Sequence, residues 1–146
     1  MHIYLGADHR GLSLKKEVIK WLASHFYTFT DFGAIEYDAE DDYNDYAKKV
    51  AAAIQENPNG DAIGVLICGS GQGMAMQANR YKGVRAALCH TAQEAIETRG
   101  HNGANVLCLG ADIVGENFSP VLDAFLDSQP LPDTKYSRRK QKLDEI

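Results

Sequence analysis

Cysteine is scarce in this chain, and the marks of a secreted or membrane protein are missing. Only three cysteines occur in 146 residues, at positions 68, 89 and 108, and none forms a C-x-x-C pair. This number and spacing predict neither a disulfide framework nor a zinc site. No apolar run approaches the length of a membrane span, and Met1 leads directly into a strand pattern without a signal peptide. We therefore expect a cytoplasmic protein that contacts no membrane and holds no metal.

Positive charge is also in short supply. Lysine and arginine total 15 against 20 aspartates and glutamates, so the formal net charge is -5. A nucleic-acid partner is not expected, because neutralising phosphates needs a basic face. The length and the 45% hydrophobic content suit one domain with its own core, residues 1–146, without internal repeats. Within that domain, residues 133–146 are predicted to form a basic C-terminal tail helix.

A buried strand with a glycine loop after it organises the rest of the chain. The apolar run from Asp61 is typical of a strand buried on both faces in a parallel sheet, and a helix over Met74–Tyr81 follows the loop. The other strands are predicted at His2–Gly6, Tyr27–Phe32, Val84–Leu88 and Asn105–Leu109. Five strands alternating with helices predict a three-layer αβα sandwich, a doubly wound α/β fold. The expected order of its five-stranded parallel sheet is 2-1-3-4-5, flavodoxin- or Rossmann-like.

The loop after the central strand, Cys-Gly-Ser-Gly-Gln-Gly, predicts an anion pocket. Gly69, Gly71 and Gly73 let a ligand approach the backbone, and the loop presents unpaired N–H groups beside a helix start. Cys68 lies at the edge of this pocket, where we expect a thiolate to be accessible near neutral pH. On the loop alone, the commoner alternative of a small buried hydrophobic cysteine stays open.

In the predicted sheet, the carboxyl ends of strands one and three border the crevice where such folds bind ligands. Asp8 and His9 follow the first strand, and Cys68 to Ser70 follow the third, so we expect these groups to meet. Two simpler alternatives remain at this point. Asp8 is also a good helix cap, and His101-Asn102 could be an ordinary polar loop after a short helix over Thr91–Arg99. The acidic loop from Glu36 to Asp42 is expected to be solvated surface, with Asp42 capping the next helix.

Five motifs in this chain resemble those of the ribose-5-phosphate isomerase B family, which includes the subunits of galactose-6-phosphate isomerase. They follow the family order across nearly the whole chain, and this ordered set is far more specific than any one of them. The motifs are Gly-Ala-Asp8-His9-Arg-Gly, Asp42-Tyr43-Asn-Asp-Tyr46-Ala, Cys68-Gly-Ser70-Gly-Gln-Gly, Arg99-Gly-His101-Asn102 and Leu109-Gly-Ala-Asp-Ile-Val-Gly115.

The resemblance implies a cofactor-free aldose-ketose isomerase of carbohydrate metabolism. Its substrate would be a sugar phosphate, first of all ribose 5-phosphate converted to ribulose 5-phosphate in the pentose phosphate pathway, through a cis-enediolate. Cys68 would be the base that moves the proton between C1 and C2, and His101 the acid that opens the sugar ring. Ser70 would add a hydroxyl to the amides that stabilise the enediolate. The implied substrate-binding residues are Asp8, His9, Tyr43, Gly69, Gly71, Gln72, Gly73, Asn102, Lys135 and Arg139.

Two positions depart from the family pattern. Asp112 stands where the family usually has a phosphate-binding arginine, and Lys135 keeps a positive charge without the guanidinium fork. The alternatives are therefore an isomerase of a different sugar or of a hexose phosphate, as in the galactose-6-phosphate type, and a silent module that binds a sugar phosphate or nucleotide. Retention of both Cys68 and His101 argues against the silent module, since binding alone needs neither group.

The strand directions predict that the active site is shared between subunits. Cys68 follows the third strand and lies at the carboxyl edge of the sheet, whereas His101 precedes the fifth strand and lies at the amino edge. A five-residue strand separates these edges by roughly 15 Å, too far for one sugar to reach both groups. We therefore expect a homodimer in which each subunit completes the other's site, and we leave a dimer of dimers open.

Overall fold

The computed structural model describes residues 1–145 and contains one parallel sheet of five strands between two helical layers. The sheet order is β2-β1-β3-β5-β4, and every neighbouring pair is parallel. The α/β sandwich predicted from the sequence is therefore confirmed. The strands are β1 His2–Ala7, β2 Thr28–Asp31, β3 Ala62–Cys68, β4 Ala86–Leu88 and β5 Val106–Gly110.

The predicted order 2-1-3-4-5 is wrong for the last two strands. β3 pairs with β5 rather than β4, and Cys68 lies opposite Gly110 at the carboxyl end of that pair. All five residues of β5 are buried, as an inner strand of a parallel sheet requires. β4 has three residues, all only half-buried, which suits an edge. This exchange brings the segment after β5 directly beside the loop after β3.

The helices cover both faces of the sheet. Apolar side chains of α1, α4 and α6 form the core on one face, and those of α2 and α3 form it on the other. Within residues 1–145, no helix combines the length and the apolar character that a membrane span needs. The helices are α1 Leu12–Ser24, α2 Tyr43–Gln55, α3 Gln72–Ala78, α4 Ala92–Asn102, α5 Ala111–Val114, α6 Phe118–Asp127 and α7 Thr134–Leu143, with a 3-10 turn at Gly115–Asn117.

Helix α4 continues past its predicted end at Arg99. Thr91 forms a capping box at its start, and Gly103 ends it in a left-handed conformation with a φ of 61°. The buried Arg99 donates from Nη1 to the carbonyl of Ala104 at 2.6 Å and holds the turn that follows. His101 therefore lies on the last turn of a helix, and the alternative of a polar loop at His101-Asn102 is wrong.

Helices α2 and α3 also differ slightly from the prediction. Asp42 stands at the N-cap position of α2, but its side chain makes no capping hydrogen bond. Helix α3 begins at Gln72, two residues earlier than predicted, and ends at Ala78. The glycine loop is correspondingly shorter, so Gln72 and Gly73 belong to the first turn of α3.

A buried ion pair joins α1 to strand β2. Lys15 is 1% exposed, yet its Nζ donates to both carboxylate oxygens of Asp31, at 2.6 and 2.7 Å, and to the carbonyl of Ala34 at 2.5 Å. All three acceptors surround an ammonium that water cannot reach. Removing one partner of such a pair is costly, because the other charge stays buried without compensation.

We predict that Asp31→Asn lowers the free energy of unfolding by about 3–5 kcal/mol, the usual cost of breaking a buried pair. The matched control is Lys20→Ala, which removes the exposed pair between Lys20 and Glu17 on the same helix. That change should cost roughly 0–1 kcal/mol. Urea denaturation at one fixed protein concentration measures both, and equal effects would contradict a special role for Lys15.

Candidate active site

Cys68 ends strand β3 and turns its thiol back toward the glycine loop. The residue is 6% exposed, and the backbone N–H of Gly71 donates to its Sγ at 3.1 Å. Gly71 has a φ of 77°, a conformation that L-residues with a side chain rarely adopt, so a glycine suits this point where the loop turns into α3. An amide donor stabilises the negative charge of a thiolate. The geometry thus suits the predicted proton-transfer role of Cys68.

The other two cysteines have a different environment. Burial raises the pKa of Cys89 to about 12, with a smaller contribution from the carboxylate of Glu94. Burial also raises the pKa of Cys108, which lies inside strand β5. The thiol of Cys89 donates to the carbonyl of Ala87 at 3.9 Å. These two residues are small apolar core residues, the alternative that the sequence left open for Cys68.

The loop after β1 reaches the same edge of the sheet. Strands β1 and β3 are neighbours, with Ala7 opposite Ile67, so Asp8 emerges beside the glycine loop. The carboxylate of Asp8 is buried and accepts the N–H of Gly11 at 3.0 Å. Burial raises the pKa of Asp8, and the hydrogen bond from Gly11 opposes that rise only partly. Asp8 therefore both stabilises the start of α1 and presents a carboxyl group to the crevice.

His9 is held by a carboxylate from the loop before α2. Its Nδ1 lies 2.6 Å from Oδ1 of Asp41, and its backbone N–H donates to the same oxygen at 3.1 Å. The hydrogen bond to Asp41 raises the pKa of His9 above its usual value, although partial burial opposes this. Burial would raise the pKa of Asp41, but the hydrogen bonds from His9 outweigh it and keep that pKa low. This pairing favours a positively charged imidazole at the crevice.

Asp41 was not identified as a site residue from the sequence. Its acidic loop was expected to be solvated surface, which holds for the exposed Glu36, Asp38 and Glu40. For Asp41 the expectation is wrong, because its side chain is only 7% exposed. The sequence does not indicate which aspartate of an acidic run binds a histidine, because His9 is 32 residues away from Asp41.

Tyr43 and Ser70 complete the carboxyl-edge group. Tyr43 begins α2, and its ring packs so closely on the backbone of Gly73 that a Cβ atom there would lie 2.6 Å from the tyrosine Cζ. Ser70 is exposed, and its Oγ accepts the N–H of Gln72 at 3.3 Å, which leaves its own hydrogen to donate to a ligand. Gln72 and Gly73, in the first turn of α3, therefore lie directly beside the Ser70 hydroxyl and the Tyr43 ring.

The other predicted site residues lie at the opposite edge of the sheet. Exposed His101 stacks on Tyr136 of α7, with ring centroids 4.8 Å apart, and Asn102 follows it. Lys135 lies beside the same tyrosine ring, and Arg139 is one turn further along α7. Val106 to Gly110 of β5 span roughly 13 Å at 3.3 Å per residue, and Cys68 lies at the far end. One subunit therefore does not bring His101 to Cys68.

Asp8, His9 and Asp41 also bring ligand atoms within 4.8 Å of one another, a spacing that a small cation could use. One side-chain atom of each residue is already hydrogen-bonded, since His9 Nδ1 bonds Asp41 Oδ1 and Asp8 Oδ1 accepts from Gly11. We interpret the three residues as a hydrogen-bonded network and assign no metal to them.

Known proteins resemble this chain over nearly its full length. The family model described as Ribose/Galactose Isomerase matches residues 3–146. The chain belongs to this family.

Individual members of the Ribose/Galactose Isomerase family show how far the similarity extends. The "Probable ribose-5-phosphate isomerase B" of Mycoplasma pneumoniae is 42% identical over 97% of this chain and 91% of its own length. A crystal structure of ribose-5-phosphate isomerase B from Mycoplasma genitalium with bound ribulose-5-phosphate has a TM-score of 0.92 and 37% identity, covering 98% and 93% of the two chains. The isomerase from Thermotoga maritima gives a TM-score of 0.91 at 37% identity, covering 99% and 98%.

We predict that Asp41→Asn lowers the pKa of His9 toward its ordinary value of about 6.5. A proton NMR titration of the imidazole measures it, and Asp38→Asn, which removes an exposed carboxylate of the same loop, is the matched control. The raised pKa of His9 means that the pair stabilises the fold fully below about pH 6.5 and loses this effect as pH rises through that pKa. On the acid side, stabilisation is lost as pH falls through the lowered pKa of Asp41. An unchanged His9 titration in Asp41→Asn would contradict the pairing.

Proposed function

We propose that this protein interconverts ribose 5-phosphate and ribulose 5-phosphate through a cis-enediolate, without a cofactor. The observation that carries the proposal is the position of the Cys68 thiol at the end of β3. Its sulfur accepts a hydrogen bond from the backbone N–H of Gly71, in a loop with further amide donors. Proton transfer next to a carbonyl needs a base of this kind and fixed dipoles for the negative charge that develops. The full-length similarity to ribose-5-phosphate isomerases B supports this substrate.

In the proposed reaction, the Cys68 thiolate takes the proton from C2 of the open-chain aldose. The electron pair of that C–H bond forms the C1–C2 double bond, and the carbonyl oxygen at C1 becomes the enediolate oxygen. The loop amides and the Ser70 hydroxyl donate to this oxygen, and a proton shifts between the two enediolate oxygens. The thiol then returns its proton to C1, which leaves the ketone at C2 and the original thiolate.

In ring opening, the bond from C1 to the ring oxygen breaks, an acid protonates that oxygen, and the proton of the anomeric hydroxyl passes to water as the C1 carbonyl forms. We assign the acid to His101 of a second subunit, because within one subunit β5 separates His101 from Cys68. A homodimer with two shared sites is therefore part of the proposal, with a substrate-phosphate role for Lys135 and Arg139 on the exposed face of α7. The cytoplasmic location expected from the sequence stays a prediction.

A hexose phosphate of the galactose-6-phosphate type is the second candidate substrate. Asp112 favours it, because this acid stands where the resemblance predicts a phosphate-binding arginine. Asp112 lies beside the loop that follows Cys68, so the change falls within the site where either substrate would bind. The two candidates share the chemistry at Cys68 and differ in the length and the stereochemistry of the sugar.

We predict turnover of ribose 5-phosphate without added metal or nucleotide, and its loss in Cys68→Ala. The assay follows aldose-to-ketose conversion for pentose and hexose phosphates, with free sugars alongside. Proton NMR in D2O should also show that Cys68→Ala no longer exchanges the C2 proton, because no base remains. Cys89→Ala, which removes a core thiol, is the matched control and should keep both activities. Near wild-type exchange in Cys68→Ala would rule out the assigned base.

If the active site is shared between subunits, two inactive variants should regain activity when they are refolded together. Cys68→Ala and His101→Ala should each be inactive, but denatured and refolded together they should recover up to about a quarter of wild-type activity. Random pairing gives heterodimers in which one site has both mutations and the other has none. Native mass spectrometry confirms whether heterodimers form. Heterodimers without activity would place Cys68 and His101 in one subunit's site.

A further inference from the structure

Arg10 follows His9 directly, and its guanidinium lies on the backbone of the glycine loop. A Cβ atom at Gly69 would lie 2.6 Å from Nε and 2.7 Å from Nη1 of Arg10, so the side chain occupies the space that this glycine leaves free. The side chain is nevertheless 57% exposed. A cation therefore lies at the edge of the catalytic loop, accessible to a ligand.

Asp112 fixes the position of this guanidinium. Its Oδ2 accepts a hydrogen bond from Nη2 of Arg10, and its own backbone N–H donates to the carbonyl of Gly69 at 3.0 Å. The segment after β5 can do this because β5, not β4, is the neighbour of β3. The backbone of Asp112 is thus bonded to the same glycine over which the guanidinium lies.

A contribution to folding stability does not explain the ion pair of Arg10 with Asp112. Both side chains are more than half exposed, and such ion pairs contribute little to folding. The pairing also neutralises the charge of Asp112, so this acid does not leave the edge of the loop negative. Arg10 keeps further N–H donors for a ligand, since a guanidinium has five donors in a planar fork that matches phosphate oxygens.

The same arrangement occurs twice on one loop. His9 and Arg10 are consecutive residues after β1, and each is held by a carboxylate from a different segment: Asp41 of the loop before α2 and Asp112 of α5. Both therefore supply positive charge beside the amides of the Cys68 loop. We propose that Arg10 is a specificity-determining residue that binds the phosphate of the substrate, and that Asp112 is the positioning residue that holds it. This inference rests on the proposed function and adds to it a phosphate contact from the subunit that carries the base.

The surroundings decide which side of Arg10 the phosphate occupies. A cavity of about 660 Å³ lies between α1 and the segment after β5, and besides Arg10 and Asp112 it is lined by Glu17 and Glu116. These acids would repel a phosphate dianion. The side toward the glycine loop instead offers the His9 imidazole, so we place the phosphate there, with the guanidinium between it and the acidic cavity.

We expect Arg10→Ala to raise KM for ribose 5-phosphate roughly 10- to 100-fold, the effect of losing a hydrogen bond between charged groups, with kcat changed less than about threefold. Arg10→Lys should recover only part of this, because an ammonium lacks the fork. Asp112→Asn should raise KM by a smaller factor, because the guanidinium stays but is held less firmly. Lys16→Ala, which removes an exposed cation of α1, is the matched control and should match wild type in KM.

The double variant Arg10→Ala/Asp112→Arg makes the test sharper. It moves the guanidinium to the other side of the pair while keeping it near Gly69, so KM should fall back toward the wild-type value. An Arg10→Ala protein with unchanged KM, or one that loses kcat and thermal stability but not KM, overturns the proposal.

Calorimetric titration with inorganic phosphate separates this inference from the proposed function, because it does not require turnover. Arg10→Ala should weaken phosphate binding by a similar factor. If wild type binds phosphate through Arg10 but does not isomerise ribose 5-phosphate, the proposed function fails and the Arg10 contact stands. If wild type isomerises the sugar and phosphate binding is the same in Arg10→Ala, the Arg10 contact is wrong and the function stands.

Discussion

The parallel pairing of β1 with β3 is the constraint on which the candidate site depends. Six consecutive residue pairs, from His2 with Ala62 to Ala7 with Ile67, align the two strands so that both end at the same edge. Asp8 and Cys68 are the residues that directly follow the last pair, Ala7 with Ile67. The chemistry at this edge therefore needs no special loop geometry to bring the two segments together, only the hydrogen bonds of the sheet centre.

The sequence predicted those features that depend on local pattern. The buried run before Cys68, the glycine loop and the placement of Asp8 at the same edge follow from apolar content and turn residues. The exchange of β4 and β5 was missed, because the predicted strand Val84–Leu88 did not indicate the short, half-buried edge strand Ala86–Leu88 that the structure contains. The partners of His9 and Arg10 could not be predicted, because their carboxylates lie 32 and 102 residues away and depend on how the loops pack.

Carboxylates at the carboxyl edge serve to hold cations rather than to add negative charge. Asp41 and Asp112 each use a side-chain oxygen to fix a positive group, and each is attached a second time through a backbone hydrogen bond, from His9 in one case and to Gly69 in the other. A protein with a net charge of -5 can in this way present cationic hydrogen-bond donors to an anion at one place. The overall charge of a chain is therefore a poor guide to the field inside its binding site.

Helix α7 differs from the rest of the fold in how it is attached. None of residues 134–143, all of which the structure describes, is buried. The helix is held by the stack of Tyr136 on His101 and by the ion pair of Arg85 with Asp144 just beyond its end. Segments with so little buried surface open locally before a domain unfolds. On warming, the surroundings of His101 should therefore loosen while the loop at Cys68 remains intact. If His101 opens the ring as we propose, partial heating would leave a protein that still converts the open-chain sugar but depends on uncatalysed ring opening.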